Sequence, residues 1–352
     1  MSASAMAARE PRVFFPGGVR DAEGRLAYVG AEGGGIDALV LAGSPGGARR
    51  WTSKAASEPV LATRQWLVAA DWTEAHRSFH LVALDAAGGS VRQRSTEVKM
   101  PEQTGSITAA WRDGDRVIVS WESHNEYHGG PAPTPEIKAA LGRSAAGTVA
   151  LDIASGKLER RAAVPPPPLP AAARGLEQFP VQSGDTALWV AGDRLGVVAL
   201  DDAGDHRRLA LHTFAAAGGQ AYPPVTLLER PPAFGYLILV APLDPFHVQL
   251  IVVNDEVVDG QPPGSITRYD FYDVLSGKRI GSVLHREGMQ PPLGAVNGRA
   301  YYLENVPSPA GSTMRAGGLI YVPRRLVALE LASGRTAWTR PIAPASFVPP
   351  MP

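Results

Sequence analysis

The chain has 352 residues, 45% of them apolar and 19% charged, enough to bury a large core and far from the composition of a disordered segment. Lys plus Arg and Asp plus Glu balance at 34 each, so no global field favours nucleic acid or an anionic membrane, and charge recognition has to come from local clustering. The absence of cysteine excludes disulfides, thiolate metal sites and cysteine nucleophiles.

Residues 1–11 contain no apolar run of the length a signal-peptide core needs, which predicts a cytoplasmic protein, or a periplasmic one had a leader been cleaved. The longest apolar runs, 236–241 and 248–253, are strand-sized, so no membrane-spanning helix is expected. From there the chain repeats a hairpin, seen most clearly at 325–339. Val327, Leu329 and Leu331 alternate with Ala328 and Glu330, and Ser333-Gly334 supplies the positive φ of a tight reversal before the strand around Trp338.

Similar hairpins stand at 81–94, 148–161, 197–208 and 268–280, with a degenerate copy at 37–51. Aligned on Leu41, Leu84, Leu151, Leu200, Tyr272 and Leu329, they recur at separations of about 43 to about 72 residues, a spacing that signals propeller blades with insertions. Four strands fit each unit. Blade one takes 13–19, 25–30, 36–41 and 48–52; blade two takes 58–63, 65–70, 79–85 and 91–98. Blade three takes 106–112, 116–121, 148–153 and 157–164, and blade four 179–183, 186–191, 195–200 and 207–212. Blade five takes 224–228, 236–241, 266–274 and 278–284, and blade six 293–296, 299–303, 325–331 and 336–340.

The predicted fold is therefore all-β, a single β-propeller domain over residues 1–352 built of four-stranded antiparallel blades. Six blades can be filled, with seven or eight left open. The Pro-rich links 164–170 and 229–233 read as straps between blades, and the tail at 347–350 reads as running toward blade one. Long second-to-third-strand insertions are expected at about 122–147, 243–265 and 305–324. Within the first, Thr134 caps, Pro135 opens and Gly142 stops a short helix.

The repeats at 81–89 (LVALDAAGG), 149–157 (VALDIASGK) and 326–338 (LVALELASGRTAW) resemble those of the PQQ-like, or quinoprotein-like, β-propeller superfamily. The resemblance implies the fold and hardly any function. The superfamily's eight-bladed dehydrogenases bind pyrroloquinoline quinone and calcium beside a vicinal disulfide. This chain has no cysteine and fills fewer blades, so PQQ is disfavoured as a cofactor. The superfamily's outer-membrane assembly propellers are anchored through a lipidated cysteine, which this sequence also lacks.

The ends of the predicted second strands each carry a carboxylate: Glu32, Asp71, Glu122, Asp193, Asp244 and Glu304. Gathered around one mouth, Asp71, Glu122, Asp193, Asp244 and Glu304, with His247, would bind a divalent cation or a cationic ligand; as bland loop starts they would do neither. The densest donor set is 122–130. If it is helical, His124 and His128 share a face and could hold one metal ion; if it is extended, Glu122, His124, Glu126 and His128 alternate onto one side. Its His-x-Glu-x-His order is not the zinc-protease motif. Glu126 and His128 are the candidate acid/base pair, and Glu74 and His76 could assist. His206, His212 and His285 fall on outer strands, and Trp51 and Trp338 should pack between blades. Gly33-Gly34-Gly35 lacks the following helix that a phosphate cradle needs.

Two functions fit this sequence. One is a propeller that binds a small molecule or a protein across its channel face. The other is a lyase, isomerase or hydrolase using a divalent metal (calcium, zinc or iron) or acid/base chemistry at the channel mouth.

Overall fold

The computed structural model describes residues 18–347, except 22–23, 33, 42–45, 74–76, 103, 126–133, 141, 162–169, 179–186, 192–193, 216–218, 230–236, 244–246, 255–265, 286–288, 307–313 and 317–318. Among the described residues, six antiparallel sheets follow one another in sequence. The first comprises β1 (Gly18–Arg20), β2 (Leu26–Gly30), β3 (Ile36–Val40) and β4 (Arg49–Ser53). The second comprises β5 (Glu58–Ala62), β6 (Trp66–Trp72), β7 (Ser78–Asp85) and an outer strand split into β8 (Val91–Arg94) and β9 (Val98–Lys99). The third runs β10 (Thr104–Asp113), β11 (Arg116–His124), β12 (Ser144–Asp152) and β13 (Leu158–Arg161). The short helix α1 (Pro135–Ala140) lies between β11 and β12, and Gly142, at φ 76°, follows it as expected.

The fourth sheet holds β14 (Glu177–Gln178) and β15 (Ala187–Ala191), both paired with β16 (Arg194–Asp202), then β17 (Arg207–Ala215) and β18 (Val225–Leu228). The fifth is the meander β19 (Leu237–Pro242), β20 (His247–Asn254), β21 (Ile266–Asp273) and β22 (Lys278–His285). The sixth contains β23 (Met289–Val296), β24 (Arg299–Asn305), β25 (Met314–Ala316), β26 (Leu319–Glu330) and β27 (Thr336–Phe347). Successive four-stranded antiparallel meanders are the blades of a β-propeller, and that is the fold class of the chain.

Two compact units divide the chain. One draws on Arg12–Val164, Asn305–Leu326 and Arg340–Pro352, the other on Met1–Pro11, Pro165–Glu304 and Val327–Thr339. In the first, the opening strands β1, β5 and β10 are neighbours; in the second, β15, β19 and β23 are. A sheet covered on both faces needs apolar side chains on both, and β7 shows how alternation meets that need. Phe79, Leu81 and Ala83 enter the core shared with the third sheet, while Val82 and Leu84 enter the core shared with the first. The second unit repeats the arrangement, with one core between the fourth and fifth sheets and another between the fifth and sixth.

The pairings correct the expected strand frame in two blades. Residues 224–228, expected to open blade five, form β18 and hydrogen-bond to β17, with Leu211 opposite Val225. The hairpin at 197–208 therefore joins second and third strands, unlike its apparent equivalents. Residues 243–265, expected to be an insertion, contain β20, which lies between β19 and β21.

The remaining hairpins share a seat. The turn after β7 closes with Gly89 at φ 72°, where a Cβ would come within 2.5 Å of the Trp51 ring on the first sheet, and Trp51 Nε1 donates to the Ala86 carbonyl at 3.1 Å. In the next turn, Gly156 lies against Gln93 of the second sheet, whose Nε2 donates to the Ala154 carbonyl at 3.0 Å. Gly277 faces Val225, and Gly334 faces Ser282 and Val283. Each turn thus rests on the outer strand of the preceding sheet. Gly204, in the displaced hairpin, has the same positive φ and nothing within 4 Å.

That contrast separates backbone strain from contact. Gly204→Ala should cost only the left-handed penalty, about 1 kcal/mol. Gly89→Ala should cost about 3 kcal/mol or more, because overpacking adds to the same penalty. Denaturant unfolding of both variants checks it; equal losses would mean the seat contributes nothing.

Candidate functional site

Glu58 opens β5 and Trp72 ends β6, and the pairing of Glu58 with Ala70 puts the glutamate and the tryptophan on one face of the sheet. Trp72 Nε1 donates a hydrogen bond to the Glu58 carboxylate. Trp72 also packs against Phe79, its cross-strand partner, at 5.0 Å between ring centres. Arg324, on β26, adds a positive charge beside Glu58, and its Nε donates to the Ala343 carbonyl at 3.0 Å. Burial pushes the Glu58 carboxyl up to about 7, against the Trp72 hydrogen bond and the Arg324 charge, which both favour the ionised form. Burial also lowers the Arg324 guanidinium from its ordinary value.

The third sheet repeats the arrangement. Glu102 precedes β10 as Glu58 opens β5, and Asn125, just past the end of β11, donates its side-chain N–H to the Glu102 carboxylate. Two neighbouring blades thus hold a carboxylate at the start of the first strand with a donor from the end of the second. Neither Glu58 nor Glu102 stood out in the sequence. The available signal was positional: each lies where one first strand begins.

The expected site residues have different fates. Asp71, next to the last residue of β6, accepts from Arg94 at 2.7 Å, while Arg94 also donates to the Ala55 carbonyl. Glu122 and His124 lie on extended β11, so the extended alternative holds as far as His124: Glu122 is exposed, His124 is half-buried, and they share a face. Glu304 is fully buried at the end of β24, two residues beyond Tyr302, whose hydroxyl donates to Gln249. His247 opens β20 with Nε2 4.0 Å from Asp273 Oδ2. Glu126, His128, Asp193 and Asp244, like Glu74 and His76, lie outside the described residues.

The corrected frame also moves the rim. His247 opens the second strand of the fifth sheet, at the end opposite the close of that strand. Among the described residues, no three His, Asp or Glu side chains group closely enough to hold a metal ion. His212 is not a free surface residue either, since its Nε2 lies 2.8 Å from Asp201 Oδ1.

No family model and no curated protein matches the chain. Solved structures similar to it include BamB from Moraxella catarrhalis, at 14% identity over 93% of this chain and 76% of that one, with a TM-score of 0.27. The β-propeller domain of the Trilobed protease from Pyrococcus furiosus is 10% identical over 95% of this chain and 98% of its own, with a TM-score of 0.35. An uncharacterized protein from Listeria monocytogenes EGD-e is 11% identical over 94% and 82%, with a TM-score of 0.33. TM-scores this low lend the site no assignment. The class rests on the chain's own sheets: this is an all-β protein of the β-propeller class.

Because the folded-state pKa of Glu58 lies above its unfolded value of 4.5, the group's contribution is fully present at low pH and is lost as pH rises toward 7. Glu58→Gln should leave stability nearly unchanged at about pH 5 and raise it at about pH 8, by at most about 3 kcal/mol. Thermal unfolding at the two pH values measures this; a variant less stable than the parent at the higher pH would contradict it.

Proposed function

We propose that the chain is a binding protein of the propeller class that takes a cationic ligand, or a basic segment of a partner, at the sheet ends where its first strands begin. The observation that carries this reading is the repeated carboxylate clamp, Glu58 held by Trp72 and Glu102 held by Asn125. A carboxylate fixed in advance loses less side-chain entropy when it meets a cation, and charge-assisted hydrogen bonds are the strong ones. Glu122 and Glu32, both exposed at second-strand ends of the same unit, add to the acidic character.

A second reading, an acid/base enzyme, draws support from Glu58 itself, whose carboxyl at about 7 suits proton transfer near neutral pH. In that reading Glu58 takes the role the sequence suggested for Glu126 and His128. The metal-dependent form of this alternative, with calcium, zinc or iron, rests on Glu122 and His124 sharing one face of β11.

An acetylated tetralysine amide, titrated calorimetrically at low salt and about pH 8, is the test. The parent should bind it, and Glu58→Gln combined with Glu102→Gln should weaken binding by about ten-fold, the scale of one lost charge-assisted hydrogen bond. Unchanged affinity in the double variant would remove the rim as the binding site.

A further inference from the structure

A cleft of about 460 Å³ opens between the second and third sheets, on the side of their outer strands, with Pro101 and Trp121, the chain neighbours of Glu102 and Glu122, among its lining residues. Its apolar wall is made by Met100, Val149 and the Trp121 ring; Lys99, Arg160 and Arg161 stand around it, and no Asp or Glu lines it. We propose that this cleft is a binding site for a small organic anion, an apolar body about one or two rings in size that ends in a carboxylate or phosphate group.

Sequence and packing together make the space. Trp121 pairs across the sheet with Gly147, in the small-residue stretch 144–147 of β12. A Cβ at Gly147 would come within 2.5 Å of the Trp121 ring, so only glycine leaves the indole where it is. Larger side chains there would fill the cleft or displace the ring. Its volume falls within the range of roughly 300 to 1,000 Å³ typical of small-molecule sites.

The polar groups define the ligand's charged end. Lys99 and Arg161 have partners nearby, Glu97 at 3.7 Å and Asp113 at 3.3 Å, and neither carboxylate belongs to the lining. Arg160 makes no ion pair among the described residues, which leaves its planar fork available for a carboxylate or phosphate. In a chain whose charges balance overall, three cations around a cleft without an acid form a local positive field. The Trp121 ring packs its edge on Gly147, where an added Cβ would lie 3.0 Å from Nε1, and so forms the wall beside the three cations.

Calorimetric titration with naphthoate and with naphthyl phosphate, using naphthalenemethanol as the neutral control, tests the proposal. At least one anion should bind saturably, at least ten-fold tighter than the control. Which anion binds more tightly identifies the headgroup. Arg160→Gln, an exposed substitution that leaves the fold intact, should weaken binding by about ten-fold. If neither anion binds, if the neutral control binds as well, or if Arg160→Gln binds like the parent, the proposal is overturned. Because these probes are anionic and the rim probe is cationic, either proposal can fail while the other stands.

Discussion

A left-handed glycine closing a turn, seated on the outer strand of the sheet before it, sets the spacing from which the rest of this protein follows. A four-stranded sheet with two apolar faces cannot stand alone, and two twisted sheets can meet face to face in many registers. The seat selects one. Trp51 reaches the Ala86 carbonyl and Gln93 the Ala154 carbonyl, each fixing a preceding sheet against the turn of the next. The acidic residue that opens each turn holds its shape. Asp85 accepts from the Ala87 and Gly88 amides, Asp152 from Ser155 and Asp273 from Ser276, while Ser333 donates to Glu330. The Leu-Asp-x-x-x-Gly pattern is therefore the sequence trace of a packing contact, and it carries no reaction.

That same contact explains what could and could not be read from residues alone. Gly334 does adopt positive φ, at 66°, and Trp51 does pack between blades, because both depend on local turn chemistry and on one neighbour. The displaced frame of the fourth sheet has the opposite cause. An apolar run, an Asp-rich turn and a second run look alike whether they join second to third strands or third to fourth. Only the pairing of β17 with β18 decides. Reading 224–228 as an opening strand makes 248–253 surplus and assigns it to an insertion, which puts His247 at the wrong rim.

The candidate site was legible in proportion to how local its causes are. Carboxylates at strand ends show in the sequence as Asp71 and Glu122. Glu58 does not stand out, because its character depends on Trp72 across the strand pair and on Arg324 from a distant part of the chain. Desolvation is a property of what covers a group, and sequence spacing does not record cover. Trp121 follows the same logic. It sits in a strand and reads as core, yet three small residues and a glycine opposite leave its edge at an open cleft.

Two sets of carboxylates pull the pH dependence of this fold in opposite directions. In the turns, Arg92 holds Asp85 below the ordinary carboxylate range, the Ser155 hydroxyl does so for Asp152, and the Ser276 amide does so for Asp273. Their contribution is present above the unfolded pKa and is lost as acid protonates them. Glu58, raised by burial, has the reverse sign: its cost appears as pH rises through about 7. The turn groups Asp85, Asp152 and Asp273 are largely solvent-exposed, so each contributes little alone, but their effects share a sign. Glu58 is one group in a poorly solvated place, where a single charge matters more. A fold assembled by turn carboxylates thus weakens toward acid, while the carboxyl its turns leave unengaged titrates near neutrality. Structure and proposed chemistry draw on the same residue type, separated by burial.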